Sequence, residues 1–263
     1  MIKNNKDCYK LGFIQKSLTH LLWKANSAIM SIYDGYDLGV TYKNDDSPLT
    51  KADLAANKIL IDGLSFFSPQ LPVVSEEDKD SLKVPEKNDT FWLIDPLDGT
   101  KEFIKKNGEF TVNVGLCQDG VPVFGIVSIP VQNKIFYGIR DIGSFKLYNK
   151  SIIKLQIVTN KNLENDGVKI VASKSHNNQE TQQFISQFKN PEILSAGSSI
   201  KLLMIAENKA DIYPRLGLTS EWDTCAAHAI VKYAGGTVLQ HVNGKTLDKE
   251  VEYNKENLLN PYF

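Results

Sequence analysis

One segment, WLIDPLDGT at residues 92–100, constrains the fold of this chain more than any other. The apolar residues before Asp95 are typical of a short buried strand, and the strand runs directly into two carboxylates, Asp95 and Asp98. Pro96 fixes its own backbone and favours an extended Asp95, while Gly99 permits a backbone angle or a close approach that a side chain would forbid. Two rigidly held carboxylates with a main-chain carbonyl between them suit hard divalent cations such as Mg²⁺.

The same segment taken alone also fits an ordinary loop, because Asp-Pro and Asp-Gly pairs are common in turns. Further acidic residues favour a metal site. Glu76 and Glu77 follow an apolar strand at 71–75, and carboxylates at the ends of neighbouring strands can converge on one cleft, although an exposed acidic turn is the alternative. Asp223 begins an Ala-rich helix, where it could simply cap the helix. Its neighbour Trp222 supplies an apolar wall, and a helix N-terminus also suits an anionic ligand.

Composition and motif content exclude several functional classes. The chain has 263 residues, 42% of them hydrophobic, which is enough for one large domain or two closely joined ones. A net charge of -1 provides no basic field for nucleic acid. Three distant cysteines predict no disulfide framework and fit a reducing cytoplasm. We expect no signal peptide and no membrane-spanning segment. No Walker A, G-x-G-x-x-G or G-x-S-x-G motif is present, which argues against P-loop ATPases, Rossmann enzymes and serine hydrolases.

The first half of the chain predicts an α+β pattern in which two helices precede a run of strands. Apolar positions at helical spacing predict a long helix over 9–33. Thr50 is a suitable N-cap for a second helix over 50–64, with Asp53 in its first turn. Strands are predicted at 71–75, 91–94, 110–116, 121–130 and 134–139, with loops or hairpins at 35–46, 79–89 and 143–154.

The second half predicts alternating strands and helices. The change of pattern predicts a boundary near residues 150–160, placed at 155, with no low-complexity linker. Strands are predicted at 168–172, 192–194, 210–213 and 237–239, the last being the final strand, and helices at 178–188, 198–207 and 222–233.

These residues resemble the inositol monophosphatase superfamily of Mg²⁺-dependent, lithium-sensitive phosphatases, and within it the CysQ-type 3'(2'),5'-bisphosphate nucleotidases. The resemblance covers nearly the whole chain. The D-P-L-D-G-T and W-D motifs are typical of the superfamily, and the run TKEFI…NGEFTVN with YPRLG and EWDT points to the nucleotidase branch. The motifs are SPLTKAD (47–53), VVSEE (73–77), WLIDPLDGTKEFI (92–104), NGEFTVNVGL (107–116), GSSIK (197–201), ADIYPRLG (210–217), EWDTCAAHAI (221–230) and the ending NLLNPYF (257–263).

The resemblance implies a layered αβαβα sandwich, with the active site between an N-terminal half (1–155) and a C-terminal half (156–263). It also implies two or three Mg²⁺ ions. One ion would be held by Glu76 and Asp95, and a second by Asp95, Asp98 and Asp223. The main-chain carbonyl of Leu97 would complete the set of metal ligands.

The resemblance further implies roles in catalysis and substrate binding. Asp53 and Thr100 would orient and deprotonate the attacking water. The main-chain N–H groups of Gly99 and Thr100 would receive the scissile phosphate. The nucleotide and its second phosphate would be held by His176, Ser198, Lys201 and Arg215. Considered without the resemblance, Lys201 and Arg215 read as ordinary surface charges and His176 as an exposed loop residue.

The implied activity is hydrolysis of adenosine 3',5'-bisphosphate to AMP and phosphate, with sensitivity to lithium. One alternative is a phosphatase of the same superfamily that acts on inositol monophosphate or fructose 1,6-bisphosphate. Another is a non-catalytic nucleotide-binding regulator. The expected partner is the nucleotide, not nucleic acid, in the cytoplasm. Peripheral contact of the N-terminal helix with a membrane and the oligomeric state are left open.

Overall fold

A computed structural model describes residues 5–78, 90–158, 167–173 and 178–263, and the helix side chains from residue 14 onward. The loop expected at 79–89 lies outside this range. The helices are α1 Asn5–Tyr33, α2 Lys51–Phe67, α3 Thr100–Ile104, α4 Gln179–Ile185, α5 Ile200–Ala206 and α6 Glu221–Tyr233. The strands are β1 Thr41–Tyr42, β2 Pro48–Leu49, β3 Val73–Ser75, β4 Thr90–Asp98, β5 Thr111–Gln118, β6 Val121–Ile129, β7 Lys134–Ile139, β8 Gly143–Tyr148, β9 Ser151–Leu155, β10 Lys169–Ala172, β11 Glu192–Ser195, β12 Leu239–Val242 and β13 Lys245–Glu250.

A seven-stranded sheet in the order β3-β4-β5-β6-β7-β8-β9 organises the fold. Strand β3 runs parallel to β4, and every other neighbouring pair in this sheet is antiparallel. Helices α1 and α2 cover one face, where Leu18, Leu60 and Phe124 are fully buried in a shared core. Because β4 has a neighbouring strand on each side and is buried on both faces, its residues from Phe91 to Ile94 form a continuous apolar run.

Helix α6 covers the other face and lies against a row of glycines that crosses the sheet. Gly115, Gly125 and Gly138 pair with one another across β5, β6 and β7. A Cβ atom at Gly125 would lie 2.0 Å from the main-chain oxygen of Ala226, which no packing can accommodate. At the end of the row, on β8, the Ser144 hydroxyl donates to the Ile230 carbonyl at 2.7 Å. The absence of side chains therefore lets the backbone of α6 approach the sheet directly.

The second half adds a smaller layer beyond α5 and α6. Strands β10 and β11 form a parallel pair that packs on α5 through Val171 and Ala196. Strands β12 and β13 form an antiparallel hairpin, and Phe184 of α4 contacts His241 edge to face. The order of helices, large sheet, helices and small sheets agrees with the expected layered sandwich.

The chain leaves the large sheet at Leu155, close to the expected division, but α6 shares a core with that sheet. The two-part division therefore stays a prediction. No helix in the described ranges is long and apolar enough to cross a lipid bilayer.

Two expectations about secondary structure were wrong. The predicted strand at 210–213 is reduced to one bridge, between Ile170 and Ile212. The chain does not end its strands at 237–239, since β12 begins at Leu239 and β13 follows it. Five of the six residues of β13 are exposed, so the strand lacks the apolar alternation that marks a half-buried one. Helix α3 was also missed, because its five residues are too few to show a helical period.

Candidate active site

The carboxylates of the 92–100 segment lie within β4 and not in a loop after it. Asp95 pairs with Asn113 of β5, but Asp98 pairs with Thr111, so β4 holds an extra residue at this point. Such a bulge bends a strand and redirects its side chains. The Leu97 N–H donates to Asp95 Oδ1 at 3.0 Å, which fixes the buried Asp95 carboxylate in place.

One carboxylate oxygen of Asp98 is bound to the residue that precedes α5. Its Oδ2 accepts a hydrogen bond from the Ser199 N–H at 2.7 Å. Asn113 Nδ2 and Thr111 Oγ1 lie 3.4 Å from the same oxygen. The Ser199 hydroxyl in turn donates to the Asp223 carbonyl at 2.9 Å. One short network therefore joins the end of β4, the start of α5 and the first turn of α6.

Two further acidic residues are held by capping boxes. Asp53 is the third residue of α2, and its Oδ2 accepts from the Thr50 N–H at 2.8 Å. Asp223 is the third residue of α6, and its Oδ2 accepts from the Ser220 N–H at 2.7 Å. In a capping box the acidic side chain reaches back to the residue before the helix. Asp223 thus caps its helix from the third position and not from the N-cap itself, which is Ser220.

Asp53 is connected to the 92–100 segment through a threonine. Thr100 donates from its hydroxyl to Asp53 Oδ1 at 3.0 Å, and the Leu97 carbonyl lies 3.3 Å from the same hydroxyl. Burial raises the pKa of Asp53, against the opposing effect of hydrogen bonds from Thr50 and Thr100. Gly99 precedes α3 with φ +97°, in the left-handed region that favours glycine. This turn places Thr100 opposite Asp53.

Glu76 is paired with a lysine from the β1–β2 hairpin. Lys43 Nζ lies 2.9 Å from Glu76 Oε1 and 2.7 Å from Glu77 Oε1. The Glu77 side chain is only 5% exposed, so the expectation of a solvated acidic turn is wrong for this residue. Burial raises the pKa of Glu77 to about 7, although the Lys43 ammonium lowers it.

Several acidic side chains lie close enough to repel one another. Burial raises the pKa of Asp95 well above its usual value, and the charges of Glu76, Asp98 and Asp223 raise it further. Burial likewise raises the pKa of Asp223, with added repulsion from Asp98 and Glu76. Four carboxylates that repel one another in a largely buried setting are costly to keep charged together without a cation between them. Oxygen ligands of this kind suit a hard divalent cation.

The carboxylates are nevertheless tied to protein donors in this structure. Among the described residues, no group of three or more His, Cys, Asp or Glu side chains is arranged so that it could hold a metal ion. Asp98 and Asp223 each give one oxygen to a main-chain N–H, and Glu76 is held by Lys43. Each aspartate keeps its second oxygen free of these bonds, so the donor chemistry fits a metal while the assignment of ligands stays a prediction.

Two cations lie in the same cleft. Lys201 is 5% exposed, and its ammonium donates to the carbonyls of Ser198 at 2.7 Å and Ala196 at 3.3 Å. Burial lowers the pKa of Lys201 to about 8, against the raising effect of Asp98. Arg215 donates to the Leu218 carbonyl at 3.0 Å, but its Nε is buried without a hydrogen-bond partner. Neither is the ordinary surface charge that the isolated sequence suggests.

The cleft has a volume of about 530 Å³ and brings most of the expected site residues together. His176 lies outside the described residues. Trp222, expected as an apolar wall of the site, packs instead against the core beneath α6. The lining includes Glu76, Asp98, Gly99, Thr100, Ser198, Lys201, Arg215 and Asp223, together with Asp45, Ser47, Tyr213, Leu218 and Phe263.

Sequence reasoning missed several residues that shape the cleft. Lys43 carries no local signal, because its role depends on a hairpin that reaches Glu76 in space. Ser199 and Asn113 fall inside recognised motifs, and the Asn113 amide donates to the Ser199 hydroxyl at 3.0 Å. Asn113 lies in the motif at 107–116 and Ser199 in the motif at 197–201, and this membership could have identified both residues from the sequence. Phe263 belongs to the ending motif, and only its fold position shows that it lines the cleft.

Comparison with known proteins places this geometry in a family. The inositol monophosphatase family model matches residues 13–260. The chain is 40% identical to the 3'(2'),5'-bisphosphate nucleotidase CysQ of Salmonella typhimurium over 250 residues, which cover 94% of this chain and 97% of that protein. It is 40% identical to CysQ of Escherichia coli K12 over 240 residues, with 91% and 94% covered.

Solved structures agree with the sequence matches. The crystal structure of CysQ from Bacteroides thetaiotaomicron superposes with a TM-score of 0.76 at 39% identity, covering 91% of this chain and 92% of the other. An inositol monophosphatase from Anabaena superposes with a TM-score of 0.70 at 21% identity, covering 88% and 85%, and supports the fold alone. With the family model matched almost end to end and the acidic cleft in place, the chain belongs to the inositol monophosphatase family.

Proposed function

We propose that this chain is a metal-dependent 3'(2'),5'-bisphosphate nucleotidase that hydrolyses the 3'-phosphate of adenosine 3',5'-bisphosphate to AMP and phosphate. The observation that carries the proposal is the presence, in one cleft, of a converging set of carboxylates and a separate pair of cations, Lys201 and Arg215. A bisphosphate needs both features, because its second phosphate lies outside the metal site. The relatives from Salmonella typhimurium and Escherichia coli K12 are named 3'(2'),5'-bisphosphate nucleotidase CysQ, which supports the proposal.

The acidic residues would hold two or three Mg²⁺ ions. Glu76 and Asp95 would hold one ion, and Asp95, Asp98 and Asp223 the second, with the Leu97 carbonyl as a further ligand. When bound, such ions supply positive charge to the phosphate and lower the pKa of a water molecule. The donor set supports this assignment, since every ligand is an oxygen and the repulsion among the four carboxylates is relieved by a cation.

Asp53 and Thr100 would orient the attacking water and accept its proton. The Thr100 hydroxyl donates to Asp53 Oδ1, so its oxygen lone pairs remain available to a water in the cleft. Asp53 is 1% exposed, and burial raises its pKa, which brings its basicity closer to neutral pH than that of an ordinary aspartate. A proton could therefore pass from water through Thr100 to Asp53.

The main-chain N–H groups of Gly99 and Thr100 would receive the scissile phosphate where β4 turns into α3. A side chain at residue 99 would reach Ser198 Cβ at 3.3 Å, so the glycine keeps this part of the cleft open. Ser198 itself has φ +46°, and its hydroxyl lies 3.1 Å from Thr111 Oγ1. That geometry supports a fixed position for Ser198 beside the phosphate.

Arg215 and Lys201 would hold the second phosphate. The unpartnered Arg215 Nε is a buried donor, and an anion in the cleft would satisfy it. Lys201 has three donors and gives two of them to carbonyls, which leaves one for a ligand. His176 and Ser198 are proposed as further contacts.

The test is phosphate release from adenosine 3',5'-bisphosphate, inositol 1-phosphate and fructose 1,6-bisphosphate, each with and without Mg²⁺. The proposal expects Mg²⁺-dependent release with a strong preference for the nucleotide, abolished by EDTA and restored by Mg²⁺. Preference for either of the other substrates would overturn the nucleotidase assignment. Nucleotide binding without release from any substrate would indicate a non-catalytic regulator.

Lithium sensitivity belongs to the same proposal. A small monovalent ion in one Mg²⁺ site cannot supply the charge that the departing oxygen needs, so added lithium should slow release. A cytoplasmic location also stays a prediction, which rests on the three separated cysteines.

A further inference from the structure

Aromatic side chains of the cleft lie beside Lys201 and Arg215. Tyr213 and Phe263 contact each other edge to face, with ring centroids 5.8 Å apart and planes at 87°. Lys201 Nζ lies 5.5 Å from the Tyr213 ring centroid. The Arg215 guanidinium donates to the carbonyl of Leu218, whose side chain is 68% exposed. The aromatic surface is therefore next to the site proposed for the second phosphate.

Backbone pairing holds one of these rings beside the guanidinium. The Arg215 N–H donates to the Phe263 main-chain oxygen at 2.7 Å, and the Phe263 N–H donates to the Arg215 carbonyl at 3.2 Å. Residues that exchange both hydrogen bonds in an antiparallel pair present their side chains on the same side, with Cβ atoms roughly 5 Å apart. The Phe263 ring and the Arg215 side chain thus project together.

The pairing continues along the segment that ends at Phe263, which makes the position rigid. Asn260 is 4% exposed, and its side-chain amide donates to the Ser220 carbonyl at 2.7 Å and to Thr224 Oγ1 at 2.9 Å. Ser220 and Leu259 form an antiparallel bridge. The same tail therefore fixes Phe263 and the first turn of α6.

We propose that Phe263, backed by Tyr213 and flanked by Leu218, is the nucleobase subsite and a specificity determinant of this enzyme. The inference rests on the proposed function and deepens it. A phosphate bound at Arg215 would leave the rest of the nucleotide next to the half-buried Phe263 ring, which lines the cleft and also packs against Tyr213 and the core beneath α6. A flat base gains from stacking on such a ring, whereas inositol and sugar phosphates have no aromatic face to stack.

The test compares two substrates that differ only in the base, adenosine 3',5'-bisphosphate and 1-O-methyl-ribose 3,5-bisphosphate. In the Phe263→Ala variant we expect the KM for the nucleotide to rise on the order of tenfold. The KM for the base-free substrate and both kcat values should stay within about twofold of wild type. Phe263→Trp should restore the low KM for the nucleotide.

The neighbouring aromatic provides a matched control. Tyr262 lies in the same tail but lines a different pocket, with Phe184 and His241. Tyr262→Ala should leave both KM values unchanged. Phe263→Leu keeps apolar volume but has no aromatic face. It replaces the alanine variant in the test if that variant fails to fold. It should also raise the KM for the nucleotide and leave the KM for the base-free substrate unchanged.

The outcomes separate the inference from the proposed function. An equal rise of KM for both substrates would mean that Phe263 only orders Arg215, and no rise for either would mean that the ring does not contact substrate. Either result overturns the subsite while the nucleotidase activity stands. A wild-type protein that releases no phosphate from the nucleotide would instead overturn the proposed function itself.

Discussion

Asp53 and Asp223 stand at the same position of two different helices, and each caps its helix with Oδ2. Each is the third residue and accepts the N–H of the residue before the helix, at 2.8 Å and 2.7 Å. In Asp53 the other oxygen accepts the Thr100 hydroxyl. One oxygen of each carboxylate thus caps a helix, while Asp223 itself and the Thr100 partner of Asp53 line the cleft. Structural and functional roles can therefore be separated by substitution.

The two roles of Asp223 predict different results for two substitutions. Asp223→Asn keeps an oxygen that can accept the Ser220 N–H, so the melting temperature should match or exceed that of wild type, since a buried charge is removed. Phosphate release should fall about 100-fold or more, a loss of the size seen when a group that stabilises transition-state charge is removed. Asp223→Ala should lose the cap as well, which should lower the free energy of unfolding by about 1 kcal/mol.

Thermal unfolding and phosphate release are measured on both variants. Full activity in Asp223→Asn would refute a role of the Asp223 carboxylate in catalysis.

The glycine row predicts a loss of stability from a very small substitution. Gly125→Ala places a Cβ against the Ala226 backbone and forces α6 away from the sheet. We expect destabilisation of about 1–3 kcal/mol, together with reduced activity because Asp223 moves with the helix. Ser144→Ala is the control, since it loses one hydrogen bond at the end of the same row, worth about 1 kcal/mol. Urea unfolding of both variants tests this, and a neutral Gly125→Ala would contradict it.

Lys201 predicts an alkaline limit on bisphosphate binding. Its folded pKa is about 8, below the ordinary 10.5, because burial disfavours the charged form. Below pH 8 the ammonium is charged and can bind the second phosphate, and above pH 8 it loses that charge. The value of kcat/KM for the bisphosphate should therefore fall as pH rises through about 8. The free energy of unfolding changes in the opposite direction. Between pH 8 and pH 10.5 the unfolded chain holds a proton on Lys201 that the folded chain has lost. The folded state is therefore stabilised as pH rises between these two values.

A substrate without the second phosphate is the control for that pH profile. With adenosine 3'-monophosphate, the alkaline decline at pH 8 should be absent. The variant Lys201→Met should bind the bisphosphate weakly at all pH values and show no such decline. An identical profile for the two substrates would indicate that Lys201 does not contact the second phosphate.

The ion pair between Lys43 and Glu76 predicts that the Lys43 ammonium competes with Mg²⁺ for the Glu76 carboxylate. In Lys43→Met, Glu76 and Glu77 lose their shared ammonium, so the metal-free protein should melt at a lower temperature. Added Mg²⁺ should then raise the melting temperature more than it does in wild type, and at a lower concentration. Lys51→Met is the control, because its ion pair with Asp37 is exposed and far less dependent on burial. An unchanged response to Mg²⁺ would refute the competition.

The central elements of this fold were predictable because they have strong local signals. Helices α1 and α2 show clear apolar periodicity, and β5, β6 and β7 are apolar runs bounded by turns. The acidic segment was recognisable because Pro96 and Gly99 surround two carboxylates at a strand end. Its true geometry was not, since the bulge that keeps Asp98 within β4 depends on pairing with β5.

The remaining features depend on contacts between distant parts of the chain. The ion pair of Lys43 joins residues 33 and 34 positions apart. The link from Ser199 to Asp98 spans 101 positions. No local pattern encodes such distances, and an exposed strand such as β13 has too little buried surface to leave an apolar signature. Local sequence predicted the elements, whereas the arrangement around the cleft required the structure.

The glycine row also changes where inactivating variants should be sought. The depth of α6, and with it the location of Asp223, depends on Gly115, Gly125 and Gly138, which are not among the residues that line the cleft. A missense change at any of these codons would introduce a side chain under the helix. A genetic screen that sequenced only the codons of cleft residues would leave such alleles unexplained. Their effect is to increase the distance between α6 and the sheet.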